Sequence, residues 1–232
     1  MLMKDRNIFI ILIVSGLLLF SPNLSAQETN HTDANGKKQG SFVVKFPSGR
    51  IKYTGQFRND KPFGEFTYYS PDGSLKAMNV FSEDGNKARN KQFAENGTIV
   101  AEGNFINQLK DSIWRFYSDF DSTLLSEESY KNNVKHGISK TYYPEGGQLS
   151  EIQEFKDGIR NGIWKKYFQE GAVMLEANYQ NDELEGKFVI YFENGKVKIE
   201  GEYLHGIKTG IWFEYNEAGD LVERNDTSIK YD

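Results

Sequence analysis

The sequence predicts an all-β protein: an elongated, twisted antiparallel sheet of about eight tandem β-hairpins of 24 residues each. Three observations predict it. Aromatic residues make up 14% of the chain, chiefly 17 Phe and 13 Tyr, beside 22 Gly; aromatics favour strands and glycines mark turns. Equivalent positions recur at Gly40, Gly64, Ala88, Ser112, Gly137, Gly162, Gly186 and Gly210, in steps of 24 or 25 residues. Such a period signals a repeat architecture. Each unit also runs from a strand-like stretch into a turn that ends in glycine, as in GIWKKYFQEG (residues 162–171) and GIWFEYNEAG (residues 210–219).

The first 26 residues read as a secretory signal. Lys4 and Arg6 precede an apolar run from Ile8 to Phe20, which is 13 residues long. A membrane-spanning helix needs roughly 20. Ser21-Pro22-Asn23-Leu24-Ser25-Ala26 then offers a cleavage site after Ala26. Residues 27–39 form an N-terminal linker, 40–224 the repeats and 225–232 a C-terminal tail. The expected location is therefore outside the cytoplasmic membrane: periplasmic, in the cell envelope, or secreted.

Within a unit, the anchor position is followed after two residues by an aromatic: Phe42, Phe66, Trp114, Trp164, Phe188 or Trp212, with Asn90 and Ser139 as exceptions. Five after the anchor stands Tyr69, Phe93, Tyr117, Tyr142, Tyr167, Tyr191 or Tyr215, with Lys45 as the exception. A glycine at nine closes the turn, as in Pro71-Asp72-Gly73 and Glu193-Asn194-Gly195, because glycine takes φ > 0 at no steric cost. The second strand runs from an aliphatic residue such as Leu75 or Val173 to a late aromatic such as Phe81 or Tyr179. A polar connection, for example Gln180-Asn181-Asp182-Glu183-Leu184-Glu185, leads to the next anchor. The two steps of 25 fall where a bulge or a longer turn absorbs an insertion.

The aromatics at two and five have opposite parity and so face opposite sides of a regular strand, unless a bulge near the anchor brings them together. The expected outcome is a mixture, with one column packed and the other partly exposed. One hairpin is marginal in water, so the units must stack to bury their rings. Sixteen strands then make a ribbon on the order of 70 Å long.

Written out in this way, the chain resembles the MORN-variant repeat family, and within it the YwqK-type antitoxins. The resemblance rests on Gly-Ile-Trp, Tyr and Gly in residues 162–171 and 210–219, and on Gly186-Lys187-Phe188, Tyr191, Gly195, Glu200-Gly201 and Tyr203. It covers residues 40–223. Units three and four depart from it: Ala88 and Asn90 replace glycine and aromatic, and Ser112 and Asp121 replace both glycines. The resemblance implies a non-enzymatic scaffold that binds and neutralises a protein partner, and MORN-type repeats are also associated with membrane-lipid contacts.

The formal net charge is −5 and there is no cysteine. The acidic balance argues against nucleic acid as a general partner, since nucleic acid is bound chiefly through Lys and Arg. The absence of cysteine removes disulfide and thiolate chemistry. His31, His136 and His205 are scattered, the latter two in connections beside anchor glycines. Asp119, Asp121 and Ser122 resemble the start of a calcium loop but lack its glycine and closing glutamate. No catalytic, cofactor or metal residue is predicted.

The candidate partner contacts are Trp114, Trp164 and Trp212, together with the basic run Lys87, Arg89 and Lys91 in the most degenerate unit, where a solvated turn is the simplest form. Because Phe fills the tryptophan slot in other units, packing is the competing role for those rings. The function expected is that of an exported, non-enzymatic scaffold for a protein partner. The alternatives are a glycan-binding module with aromatic platforms and a peripheral membrane protein.

Overall fold

A computed structural model describes residues 29–227. The signal at 1–26 and the end of the tail, 228–232, lie outside the described residues. Among these residues there is no helix; sixteen strands of six or more residues and three of two residues follow one another as an antiparallel meander. The predicted count of hairpins is met. The segment read as a linker already pairs: His31–Thr32 lies against Gln39 and Lys38, and the first long strand is Lys38–Lys45. At the other end, the strand Leu221–Asp226 runs into what was read as tail.

Both kinds of turn follow from local chemistry. After the first strand of a unit, a short turn closes through its glycine, as where Gly73 (φ 97°) donates its N–H to the Ser70 carbonyl and Ser70 donates to that of Ser74. In units four and five the corresponding bonds run from Ser118 to Thr123 and from Tyr143 to Gln148, one residue longer. Those two turns absorb the two insertions.

The polar connection between units is much shorter than the sequence implies. In Asn59-Asp60, Asn107-Gln108, Asn132-Asn133 and Asn181-Asp182 both residues have positive φ, the form of a two-residue turn whose twist matches that of its strands. Gln180 therefore ends one strand and Glu183 opens the next.

The anchor glycine is consequently no turn residue. Gly162 (φ 114°) lies inside the strand Ile159–Tyr167, at a bulge where Gln153 pairs with Trp164 but Phe155 pairs with Arg160. Unit three shows why its anchor departs from glycine. There a longer turn, closed by Ser82 N–H to the Lys87 carbonyl, replaces the two-residue turn, and Phe81 pairs with Ala88 and Val80 with Arg89 without interruption. With no bulge there is no positive φ to accommodate, and alanine suffices.

Most of the core is a line of side chains along one face, with Val189 buried on the other. It is packed as predicted: Phe42, Phe66, Trp114 and Trp212 are buried. The tyrosines at five after the anchor lie on the opposite face and are half-buried.

Candidate functional site

On the aromatic face three rings pair across the strands with a residue small enough to lie beneath a ring, while Phe66, Trp114 and Trp212 pair with Asn79, Glu128 and Asn225. Phe42 pairs with Gly55, Phe188 with Gly201 and Trp164 with Ala177. A β-carbon on Gly55, Gly103 or Gly201 would meet the ring of Phe66, Trp114 or Trp212 at 2.4 Å or less. The late aromatics close the ladder edge-on, with Phe57–Phe66 at 5.2 Å and Phe105–Trp114 at 4.9 Å between ring centroids. Each such pair adds about 0.5–1.5 kcal/mol beyond area burial.

A set of cations that sequence reading missed lies over these rings. Lys110 Nζ is 4.5 Å from the Trp114 ring centroid, Lys208 Nζ is 4.1 Å from that of Trp212, and the Arg160 guanidinium is 4.2 Å from that of Tyr179. Lys38 and Lys135 occupy the same slot over Phe57 and Phe155. In a regular strand, residues four apart are separated by about 13 Å; the anchor bulge draws Lys208 back over Trp212. Burial among Trp114, Phe116 and Tyr130 pushes the Lys110 ammonium below its usual range. The signal was available in the sequence: a cation two residues before the anchor at Lys38, Lys110, Lys135, Arg160 and Lys208.

The ladder is broken at its two non-aromatic slots. At the first, Asn90 is 5% exposed and donates from Nδ2 to Asn79 Oδ1 at 2.6 Å, while Gln92 Nε2 donates to Asn90 Oδ1 at 3.1 Å. A cleft of about 580 Å³ opens there between Phe66, Phe81 and Phe105. At the second, Ser139 pairs with Gln153, which pairs in turn with Trp164. A cleft of about 290 Å³ opens there.

The predicted contacts divide between the two faces. Trp114 is 0% and Trp212 5% exposed, so their rings hold the ladder together and offer a partner no surface. Trp164 stays half-buried: it stands across from Gln153, whereas Trp114 lies over Gly103. Lys87, Arg89 and Lys91 lie in the strand Lys87–Phe93, and not in a turn. They are exposed and alternate with buried Ala88 and Asn90, so they share the face opposite the rings. Asp121 serves its own turn, accepting the Thr123 N–H at 3.0 Å. Among the described residues no cluster of His, Asp and Glu is arranged to hold a metal.

That opposite face carries a second periodic network. The hydroxyls of Tyr117, Tyr142, Tyr191 and Tyr215 donate to Glu102, Glu127, Glu176 and Glu200, each 15 residues earlier, at 2.8–3.1 Å. Arg115 and Lys165 pair with Glu127 and Glu176 at 2.9 and 2.6 Å. Beside the network, in the slot after the anchor, Ile113, Ile163 and Ile211 are 46%, 36% and 36% exposed.

The bulged strand from Arg160 and its hairpin partner to Asn181 thus form one structural unit, and the next begins at Leu184. Residues 160–181 and 184–205 each match the family model described as MORN repeat variant. Two adjacent repeats are of this kind. The MORN-variant frame therefore begins at the cation slot, ahead of the anchor glycine. No curated protein matches the chain. Among solved structures, one titled "Crystal Structure of TarM" is similar over 41% of this chain and 20% of its own, at 16% identity and a TM-score of 0.31.

Proposed function

We propose that this repeat scaffold is an exported, non-enzymatic binding protein that engages a protein partner through the face opposite the ring ladder. The observation that carries the reading is the alignment of Ile113, Ile163 and Ile211 as exposed apolar side chains in one repeated slot. On the ring face, large side chains pack against one another. On this face, three isoleucines remain in water without a covering layer. Exposed apolar residues flanked by polar ones are the composition of a contact surface.

Lys87, Arg89 and Lys91 extend the same face, and among the described residues none of them has an ion pair. A partner that meets both features presents an apolar ridge continued by an acidic patch. Binding and neutralising such a partner is the antitoxin-like role that the YwqK-type resemblance implies.

The test is crosslinking of the full chain in its native envelope followed by mass spectrometry, comparing wild type with Ile163→Glu/Arg89→Glu. The expected result is one specific protein captured by wild type and lost with the variant. Recovery of no specific protein, or equal recovery by both, overturns the reading.

A further inference from the structure

The second break in the ladder is a built cavity rather than a defect. Ser139 is only 9% exposed, and its Oγ is buried without a hydrogen-bond partner. Leaving a buried hydroxyl unpaired is destabilising, so a ring in this slot, as in six other units, would be the more stable choice. The neighbouring position is altered with it. Gln153 stands across from Ser139 where Gly55 stands across from Phe42. Where Phe42 and Phe188 stand across from glycine, a hydroxyl and an amide stand across from each other here.

The walls narrow the chemistry of an occupant. On one side stands the half-buried Trp164, held by its Nε1–H donating to Glu151 Oε1 at 2.6 Å. Of the charges that line the cleft, Glu128, Lys135, Lys140 and Arg160 have ion-pair partners, whereas the Glu151 carboxylate, among the described residues, accepts only from the Trp164 N–H. Glu128 accepts from Lys135 at 3.0 Å, Arg160 pairs with Asp182 at 3.0 Å, and Lys140 lies 3.9 Å from Glu127. An anionic ligand would find no unmatched cation there and would face the Glu151 carboxylate. A neutral ring with hydroxyls along its edge and C–H groups on its face would find an indole to stack on, carboxylates and an amide oxygen to accept its O–H groups, and Ser139 Oγ to pair with. The volume of about 290 Å³ lies just below the ligand-pocket range of about 300–1,000 Å³, which suits one ring of a longer chain.

We propose that the Ser139–Gln153–Trp164 cleft binds a single pyranose ring of a neutral saccharide. It lies on the face opposite Ile163 and Arg89, so it stands or falls independently of the protein-partner surface.

The experiment is saturation-transfer NMR on the purified full chain, with glucose, galactose, mannose and N-acetylglucosamine as probes, each as monosaccharide and as oligosaccharide. Transfer to the ring protons of at least one probe is expected. Ser139→Phe/Gln153→Gly, which builds the ring-over-glycine pair of Phe42 and Gly55, is expected to keep or raise the melting temperature and to weaken binding about tenfold or more. Trp164→Phe, a residue that slot accepts elsewhere in the chain, is expected to weaken it less and serves as the deciding variant if the double variant does not fold. Absence of transfer to every probe overturns the proposal. So does transfer undiminished by the double variant or, where that variant does not fold, by Trp164→Phe.

Discussion

A β-carbon built on Gly103 would lie 2.4 Å from Cδ2 of Trp114, so the indole fills the space that any other side chain at 103 would need. Gly103 has no positive φ, so it is glycine for the sake of its neighbour's ring and not for its own backbone.

Gly103→Ala is therefore expected to destabilise the protein by about 1–3 kcal/mol, the range for overpacking. Ala177 holds the same slot one repeat before Phe188, and Phe188 is only half-buried. The added methyl in unit three should likewise lift Trp114 towards solvent. Thermal melts would show the loss, and tryptophan emission should move to the red. An unchanged melting temperature would mean that the ladder is looser than its geometry.

The anchor glycines make the opposite case, in which backbone conformation decides. Gly162→Ala forces a side chain onto φ 114° and brings its β-carbon to 2.0 Å from Glu154 Oε2, so a loss of about 1–3 kcal/mol is expected. Ala88→Gly, at an anchor without a bulge, strains no backbone angle and should cost the entropic penalty of about 0.5–1 kcal/mol together with the contacts of one buried methyl. Urea unfolding of both variants checks the difference. Equal losses would remove the bulge as the reason for glycine at the anchor.

The period was legible because each repeated position answers a physical demand that one residue type meets: φ > 0 at Gly73, a ring at Phe66. What was illegible depends on partners across the sheet. Nothing local distinguishes Trp164 from Trp114; what differs lies across the sheet, Gln153 against one ring and Gly103 beneath the other. The place of the turn between units was illegible for a related reason. A glycine in the midst of polar residues looks like a turn, but the turn belongs to the Asn181-Asp182 pair and its counterparts, whose positive φ needs no glycine. The cation slot was regular enough to find, yet meaningful only once the bulge placed Lys208 over Trp212.

On the other face, the hydrogen bond from Lys165, with help from the Tyr191 hydroxyl, holds the Glu176 carboxyl below its ordinary 4.5. The same contact raises the Lys165 ammonium above 10.5. A carboxyl with a depressed folded pKa contributes stability that is present above its unfolded value and lost as pH falls through the depressed one. The lysine contribution is full below 10.5 and is lost only as pH rises through its raised value. Acid unfolding should therefore soften below pH 4.5, and Glu176→Gln should flatten that limb while leaving the neutral-to-alkaline limb dominated by other groups. An acid limb identical in wild type and variant would show that solvent screens the contact completely.

Tyr117 makes the alkaline counterpart. Burial, reinforced by its hydrogen bond to Glu102, pushes its hydroxyl from 10.0 up to about 12. The unfolded chain then releases this proton two units earlier than the folded one. Stability must fall as pH rises above 10, and the loss from this group ends once pH passes about 12. Tyrosinate absorbance should show a late-ionising component that disappears in Tyr117→Phe. In Glu102→Gln it should move back towards 10, because the neutral amide no longer disfavours the phenolate. If the late component survives Tyr117→Phe undiminished, it belongs to the other buried hydroxyls, among them Tyr130 against Glu128, which the same two causes raise still further.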